Sequence, residues 1–366
     1  MNIRDLTDKD LILYRKKIQY EVSKYHNFQM AKKISLNSVY GATGNEYFRM
    51  YDPRLAEAVT LSGQYCILWL EKCINKYINA VLKTVNVDYV VAIDTDGIYI
   101  TLEKLVEKMF PDETDTSKII NFVDKFCNVK LQEIIDSACV ELALYTNAFK
   151  QKIVMKREAI ANKGIWTAKK RYILNVYDNE GVRYATPQLK IMGNEAIRSS
   201  TPEICRKMIK ETFRLLMQDS KENTLKYISE CEDTFRKMPV ESIAFPRSVR
   251  GLKQYSDVSQ IYKKSTPIHV RGSLLYNEQL KKLELTKKYQ SIKEGEKIRF
   301  VYLKEPNTLR EDVISFIDKL PDEFGLTKYI DYDKQFDKTF LDPLGIIFKT
   351  IGWELQETTK LSEFFI

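Results

Sequence analysis

Apolar residues recur at steps of three and four over the first forty positions, a stretch without glycine or proline. This spacing predicts one long helix with a single apolar face. Such a helix is marginal in water by itself, so we expect an antiparallel helical neighbour. Tyr40-Gly41, followed by Gly44, predicts the end of the helix. The apolar face consists of Leu11, Tyr14, Ile18, Val22 and Tyr25.

The following segments alternate between helical and strand patterns. A second helix is predicted from about Pro53 to Leu82. The β-branched run 87–93, the turn 94–97 and the run 98–102 predict a hairpin, which we expect to be buried because both runs are apolar on both faces. A helix reaching about Tyr145 comes next. Residues 152–192 then predict strands, including a hairpin that turns at residues 178–181.

The last third of the chain begins with a helix signal and then loses its periodicity. Residues 199–203, Ser-Ser-Thr-Pro-Glu, predict a helix start capped by hydroxyls. Beyond Pro239 the pattern predicts irregular chain. Residues 247–272 carry six basic side chains and one acid. We therefore predict an α+β fold with a domain boundary near residue 195.

Composition limits the class of protein. A chain of 366 residues with 44% apolar and 30% charged residues predicts two or three folded domains. Its apolar runs are too short to span a membrane, and its N-terminus has no apolar core like that of a secretion signal. Six cysteines without a Cys-x-x-Cys pair and only two histidines argue against Cys/His metal chemistry. The net charge of +8 permits a nucleic-acid partner without establishing one.

Asp94-Thr95-Asp96 is the strongest local signal for chemistry. Residues two apart on an extended chain face the same side, so both carboxylates can approach one cation. Mg²⁺ is typically held by one or two protein carboxylates, together with substrate phosphates and water. Two such ions can support phosphoryl transfer. The alternative is an ordinary surface turn, in which Asp and Gly are common.

Two further motifs carry basic and aromatic side chains. Lys33, Asn37 and Tyr40 share one face of the first helix, where a lysine can neutralise a phosphate and a ring can pack on a base. Lys169-Lys170-Arg171-Tyr172 enters a strand, and cations there suit a nucleic-acid backbone. The 247–272 cluster is either a second backbone contact or a solvated loop.

These motifs, in this order, resemble the second half of a family B DNA polymerase, particularly those of T-even-like bacteriophages. Supporting stretches lie at residues 44–52, 156–160, 189–193, 199–202 and 269–272. The resemblance implies a fingers helix at 1–45, a catalytic palm with an antiparallel sheet at 46–195 and a mainly helical thumb at 196–355. It also implies a clamp-binding tail at 356–366 and the absence of the exonuclease and N-terminal domains.

The resemblance also implies roles for individual residues. Asp94 and Asp96 become the catalytic carboxylates, and Glu158 joins them at a site for two Mg²⁺ ions, with Mn²⁺ as a possible substitute. Lys33, Asn37 and Tyr40 are expected to bind the incoming dNTP. The residues expected to bind primer-template DNA are Lys169, Lys170, Tyr172, Arg247, Arg250, Lys253, His269 and Arg271. Leu361, Phe364 and Phe365 are expected to bind a sliding clamp.

The chain departs from the family in ways that bear on function. Gly97 stands where the family usually has serine, and the stretches around residues 160–166 and 304–307 are shorter than in other members of the family. Because the palm's other aspartate is missing, we expect a split polymerase whose N-terminal polypeptide carries the exonuclease and the first palm motif. A truncated chain, or a catalytically silent DNA-binding scaffold, is the alternative. The expected location is the cytoplasm of a phage-infected bacterial cell, away from membranes.

Overall fold

The computed structural model describes residues 7–113, 115–194 and 196–354. Two π-helical turns span Phe126–Leu131 and Asp337–Leu341. Within the described ranges, the helices are α1 (Asp8–Thr43), α2 (Pro53–Leu82), α3 (Glu103–Met109), α4 (Thr116–Lys125), α5 (Gln132–Tyr145), α6 (Glu203–Gln218), α7 (Lys221–Phe235), α8 (Val240–Ile243), α9 (Leu252–Tyr255), α10 (Ile268–Lys282), α11 (Tyr332–Phe336) and α12 (Asp342–Thr350). The strands are β1 (Val90–Asp94), β2 (Gly97–Ile100), β3 (Ala159–Ala168), β4 (Arg171–Asn179), β5 (Val182–Met192), β6 (Phe245–Ser248), β7 (Lys297–Tyr302) and β8 (Val313–Phe316).

The chain divides into two compact units between Arg157 and Glu158. The mixture of helices with small antiparallel sheets confirms the predicted α+β class. The range 46–195, predicted as one palm domain, contributes to both units, so the domain assignments remain predictions. A search of the described residues finds no helix with the length and hydropathy needed to cross a membrane.

Helix α1 ends slightly later than its pattern predicted and is exposed. It begins where the Thr7 side chain accepts a hydrogen bond from Asp10 N, and it runs past Gly41 to Thr43. Between Asp8 and Thr43 no residue of α1 is buried. The apolar stripe, including Ile18, Val22 and Tyr25, is therefore open to solvent along the described helix.

Helix α2 has the predicted bounds and supplies the core of the first unit. Asp52 caps it by accepting from Arg54 N, and Pro53 stands in its first turn. Its buried face packs with α5 and with the segment leading into β1. The residues of this core are Leu70, Ile74, Ile78, Tyr89, Leu131, Ile135, Ala138 and Cys139. Helices α2 and α5 thus share one core, against which Ile98 and Ile100 of the β1–β2 hairpin pack.

In the second unit, β3, β4 and β5 form an antiparallel sheet in that order, and the predicted turn at 178–181 joins β4 to β5. Ile173 of β4 shares a core with Phe213 of α6 and Phe348 of α12. The boundary predicted near residue 195 therefore falls inside one continuous core. The predicted hydroxyl cap of α6 was wrong, because Pro202 is the N-cap residue and no side chain caps the helix.

The region beyond Pro239, predicted as irregular, contains an ordered second core. Strands β6, β7 and β8 form an antiparallel sheet, and α10 packs on it. Gly272 permits this close packing, because a Cβ atom there would lie 2.5 Å from Ser315 Oγ. The prediction failed because β6 and β8 have only four residues each, too few for a clear alternating pattern.

Candidate functional site

Asp94 and Asp96 lie at the turn of the β1–β2 hairpin. Asp94 pairs with Gly97, which leaves Thr95 and Asp96 as the two turn residues. Asp96 N donates to Asp94 O at 2.7 Å, and Thr95 Oγ1 donates to Asp94 Oδ1 at 3.1 Å. Asp96 is exposed and Asp94 is half-buried. Asp94 and Asp96 therefore belong to one tight turn, with Asp96 open to solvent.

One expectation about this hairpin needs correction. It is not a buried hairpin within its unit: Val90 is buried, Val91 is 50% exposed, and the other strand residues are half-buried. The left-handed backbone conformation in the turn belongs to Thr95, with φ 59°, and not to Gly97. A β-branched residue rarely adopts this left-handed conformation, so the turn is strained at Thr95. A Cβ atom on Gly97 would make only an ordinary 3.7 Å contact with Asp94 O.

Two asparagines on α2 hold the segment that leads into β1. Asn79 Nδ2 donates to Val87 O at 2.7 Å, and Val87 N donates to Asn79 Oδ1 at 3.1 Å. One turn earlier, Asn75 Oδ1 accepts from Tyr89 N at 2.8 Å, and Asn75 Nδ2 donates to Asp88 Oδ1 at 2.9 Å. These bonds fix where β1 begins, and therefore where Asp94 lies. Our sequence interpretation missed both residues, although the Ile-Asn pair repeated four residues apart was the available signal.

Asp88 completes this support. Its Oδ1 accepts from Val90 N at 2.9 Å as well as from Asn75. The hydrogen bond from Val90, followed by that from Asn75, holds the pKa of Asp88 below its ordinary value. Asp88 is therefore ionised at neutral pH and ties the start of β1 to α2.

The donor set at the turn fits a hard cation of the Mg²⁺ type, since such ions need only one or two protein carboxylates. No group of three or more Asp, Glu, His or Cys side chains suited to a metal occurs in residues 7–113, 115–194 and 196–354. Glu158, the third predicted ligand, belongs to the second unit, where its carboxylate accepts from Lys190 Nζ at 2.5 Å. Its role at a metal remains a prediction.

The predicted nucleotide-binding residues all lie on α1. Lys33, Asn37 and Tyr40 are exposed, and their spacing places them on one side of the helix. The side chains are thus available for a ligand, and their roles remain predictions.

Lys169 and Lys170 form the turn between β3 and β4. Both are exposed, and Lys170 has φ 62°. Gly193 lies directly beneath this turn, because a Cβ atom there would be only 2.2 Å from Lys170 O. Tyr172, predicted to contact DNA, is 5% exposed and lies near the Trp166 ring. A side chain this buried supports the hairpin from within and does not present itself to a duplex.

A basic cavity of about 340 Å³ lies between the loop before α6, strands β6 and β7, and α10. Arg247 and His269, both predicted to bind DNA, line it, and Arg247 Nη1 donates to Ser200 O at 2.9 Å. Burial lowers the pKa of Arg247, and burial together with the Arg247 charge lowers that of His269. The full lining is Arg198, Ser200, Thr201, Phe245, Arg247, Ile268, His269, Phe300, Tyr302, Lys338, Thr339 and Pro343. These residues include no carboxylate, so the cavity suits an anion.

The other predicted DNA-binding residues differ in their surroundings. Arg250 and Lys253 are exposed near α9. Arg271 donates to Asp312 and lies 3.9 Å from Glu311, so its charge already has acidic partners. The predicted clamp-binding residues Leu361, Phe364 and Phe365 lie outside the described residues.

Comparison with known proteins identifies the class. Residues 9–350 match DNA polymerase family B, and the chain belongs to this family. It is 37% identical over 353 residues to the DNA-directed DNA polymerase of Escherichia phage RB69 and 34% identical over 350 residues to that of Enterobacteria phage T4. Each alignment covers 92% of this chain but 38% of the phage protein. DNA polymerase 1 of Sulfolobus acidocaldarius is 23% identical over 99% of this chain, which spans 35% of that relative.

Proposed function

We propose that this chain carries part of the nucleotidyl-transfer site of a DNA-directed DNA polymerase. The observation that carries the proposal is the juxtaposition of Asp94 and Asp96 on one accessible hairpin turn, in a chain belonging to DNA polymerase family B. Together these carboxylates would hold Mg²⁺, with Mn²⁺ as a possible substitute. Two such ions supply activation of the attacking oxygen and charge stabilisation at the leaving group.

Substrate binding follows from the cations on each unit. On α1, Lys33 would neutralise the triphosphate of an incoming dNTP, while Asn37 and Tyr40 would contact its sugar and base. In the second unit, Lys169 and Lys170 would contact the phosphates of primer-template DNA. Arg247 and His269, which line the basic cavity, would also contact DNA phosphates. Such phosphate contacts supply most of the affinity for nucleic acid.

A second polypeptide would complete the polymerase. The chain spans 38% of the phage relatives it matches, and the stripe of α1 is exposed along the described helix. An N-terminal polypeptide carrying an exonuclease domain would supply the remaining palm aspartate and cover α1. The 361–365 segment would bind a sliding clamp, and the complex would act in the cytoplasm of a phage-infected bacterium.

The test is primer extension by the chain combined with its N-terminal polypeptide. Asp94→Asn and Asp96→Asn should each reduce extension by more than about a hundredfold, because both remove charge that would hold the metal ions. Binding to primer-template should stay near that of the unaltered chain. Asp112→Asn is the matched control, since it removes the same charge from an exposed loop of the same unit. Extension within tenfold of the unaltered protein in either turn variant would remove these residues from the metal site.

The basic cavity also supports a second candidate function, a DNA-binding subunit without catalysis. The same assay separates the two candidates. A complex that binds primer-template with salt-dependent affinity but extends no primer in Mg²⁺ or Mn²⁺ would favour the silent subunit.

A further inference from the structure

The basic loop, defined as residues 256–265, connects α9 to α10 on the surface of the second unit. Its residues are exposed except Tyr262, which is half-buried against the core formed by α10 and the β6–β8 sheet. Lys263 and Lys264 follow Tyr262 immediately in the chain. Whatever holds the Tyr262 ring therefore also sets the position of these two cations.

Glu311 and Arg271 hold Tyr262 from outside the loop. The Tyr262 hydroxyl donates to Glu311 Oε1, and the Arg271 guanidinium lies 5.9 Å from the Tyr262 ring centroid. Burial, followed by the bond to Glu311, raises the pKa of Tyr262 to about 12, so the hydroxyl retains its proton at neutral pH. The ring is thus held at its edge by a carboxylate and at its face by a cation.

Both partners are themselves fixed by regular structure. Glu311 and Asp312 directly precede β8, and Arg271 stands in the first turn of α10. Arg271 also donates to Asp312, whose other oxygen accepts from Lys334 Nζ at 3.2 Å. The contacts to Tyr262 therefore link a surface loop to the sheet and helix of a buried core.

We infer that Tyr262 is a positioning residue which, through Glu311 and Arg271, orders the basic loop so that Lys263 and Lys264 meet the backbone of duplex DNA. This inference rests on the proposed polymerase function, because it takes duplex DNA as the ligand. A loop that is already ordered in the free protein loses less conformational entropy on binding. Lys263 shows the same ordering, because its N donates to Tyr255 O at 2.8 Å and its Nζ donates to Gln254 O at 2.7 Å.

A double-mutant cycle on duplex affinity tests this inference. The 366-residue chain is titrated with a fluorescent primer-template in its unaltered form, as Tyr262→Phe, as Lys263→Ala/Lys264→Ala, and as the triple variant. Tyr262→Phe should weaken binding at least about twofold, and it should have no effect once both lysines are gone. The lysine pair should lower the slope of log affinity against log salt by about 1.8, at about 0.9 for each phosphate contact.

Tyr289→Phe is the matched control, because Tyr289 donates to Glu323 at 2.8 Å and has Lys288 5.2 Å from its ring centroid. This substitution removes an equivalent hydroxyl–carboxylate hydrogen bond at a site away from the basic loop. It should therefore leave DNA affinity unchanged. Tryptic cleavage after Lys263 in the free protein should accelerate at least about threefold in Tyr262→Phe and not in the control.

If Tyr262→Phe and the lysine substitutions have additive effects on duplex affinity, the inference is overturned. An unaltered rate of tryptic cleavage after Lys263 in Tyr262→Phe would also overturn it. Normal binding by the lysine variant would overturn it too. The proposed polymerase function would survive each of these outcomes, since it depends on extension and on the Asp94 and Asp96 variants.

Discussion

Gly193 and Gly181 provide a matched pair for testing how the Lys169–Lys170 turn is held. Both glycines have left-handed backbones, with φ 64° and 88°. A Cβ atom on Gly181 would meet nothing within 4 Å, whereas one on Gly193 would lie 2.2 Å from Lys170 O. Alanine at either position costs about 1–2 kcal/mol of backbone strain. Only Gly193→Ala must also displace a backbone carbonyl, which adds about 1–3 kcal/mol by comparison with overpacked cores.

Hydrogen exchange of the β4 amides measures this difference, because it reports opening of the β3–β5 sheet even where the two units unfold separately. Gly181→Ala should lower the free energy of opening by about 1–2 kcal/mol and leave duplex affinity unchanged. Gly193→Ala should lower it by about 2–5 kcal/mol and also weaken duplex binding, because the turn that carries both lysines must move. Equal losses in the two variants would refute the claim that Gly193 supports the turn.

Two further predictions concern the β1–β2 hairpin. Asn79→Ala should lower the free energy of unfolding of the first unit by about 2–3 kcal/mol, because it leaves both backbone groups of the half-buried Val87 without their partner. Asn128→Ala, which loses one exposed bond to Asp124, is the control in the same urea titration and should cost under about 0.5 kcal/mol. Gly97→Ser should change stability by no more than about 0.5 kcal/mol and preserve extension, since a Cβ atom fits there. A larger loss would show that the turn depends on glycine.

Local signals were sufficient wherever an element is defined by its own residues. Helix α2 was predicted with its observed bounds, because Asp52 and Pro53 mark its start and an apolar face continues to Leu82. The turn at 178–181 was also predicted, from its sequence Asp-Asn-Glu-Gly. In the structure, Glu180 and Gly181 both adopt the positive φ that a two-residue hairpin turn requires. The hairpin that carries Asp94 and Asp96 was likewise predicted, because two short apolar strands flank the turn.

Contacts between distant parts of the chain determine the surroundings of two side chains that were predicted to bind DNA. Tyr172 follows two lysines and an arginine, yet its strand is central in the β3–β5 sheet and its side chain is buried. Arg271 lies in a basic segment, yet carboxylates that follow it by about forty residues neutralise it. Long-range contacts of this kind leave no local periodic trace, so nothing in the local pattern opposed the family resemblance, which assigned both side chains to a DNA surface.

Helix α1 shows the remaining limit of a periodic pattern. Its 36 residues extend roughly 54 Å at 1.5 Å per residue, and none of them is buried. The steps of three and four identify which side of the helix is apolar, because the period belongs to the helix itself. Burial of that side requires a second surface, and neither the position nor the identity of that surface is encoded in the period. The stripe therefore predicts that α1 has a partner, while the choice of an N-terminal polymerase polypeptide as that partner rests on family membership and on the 38% coverage of the phage relatives.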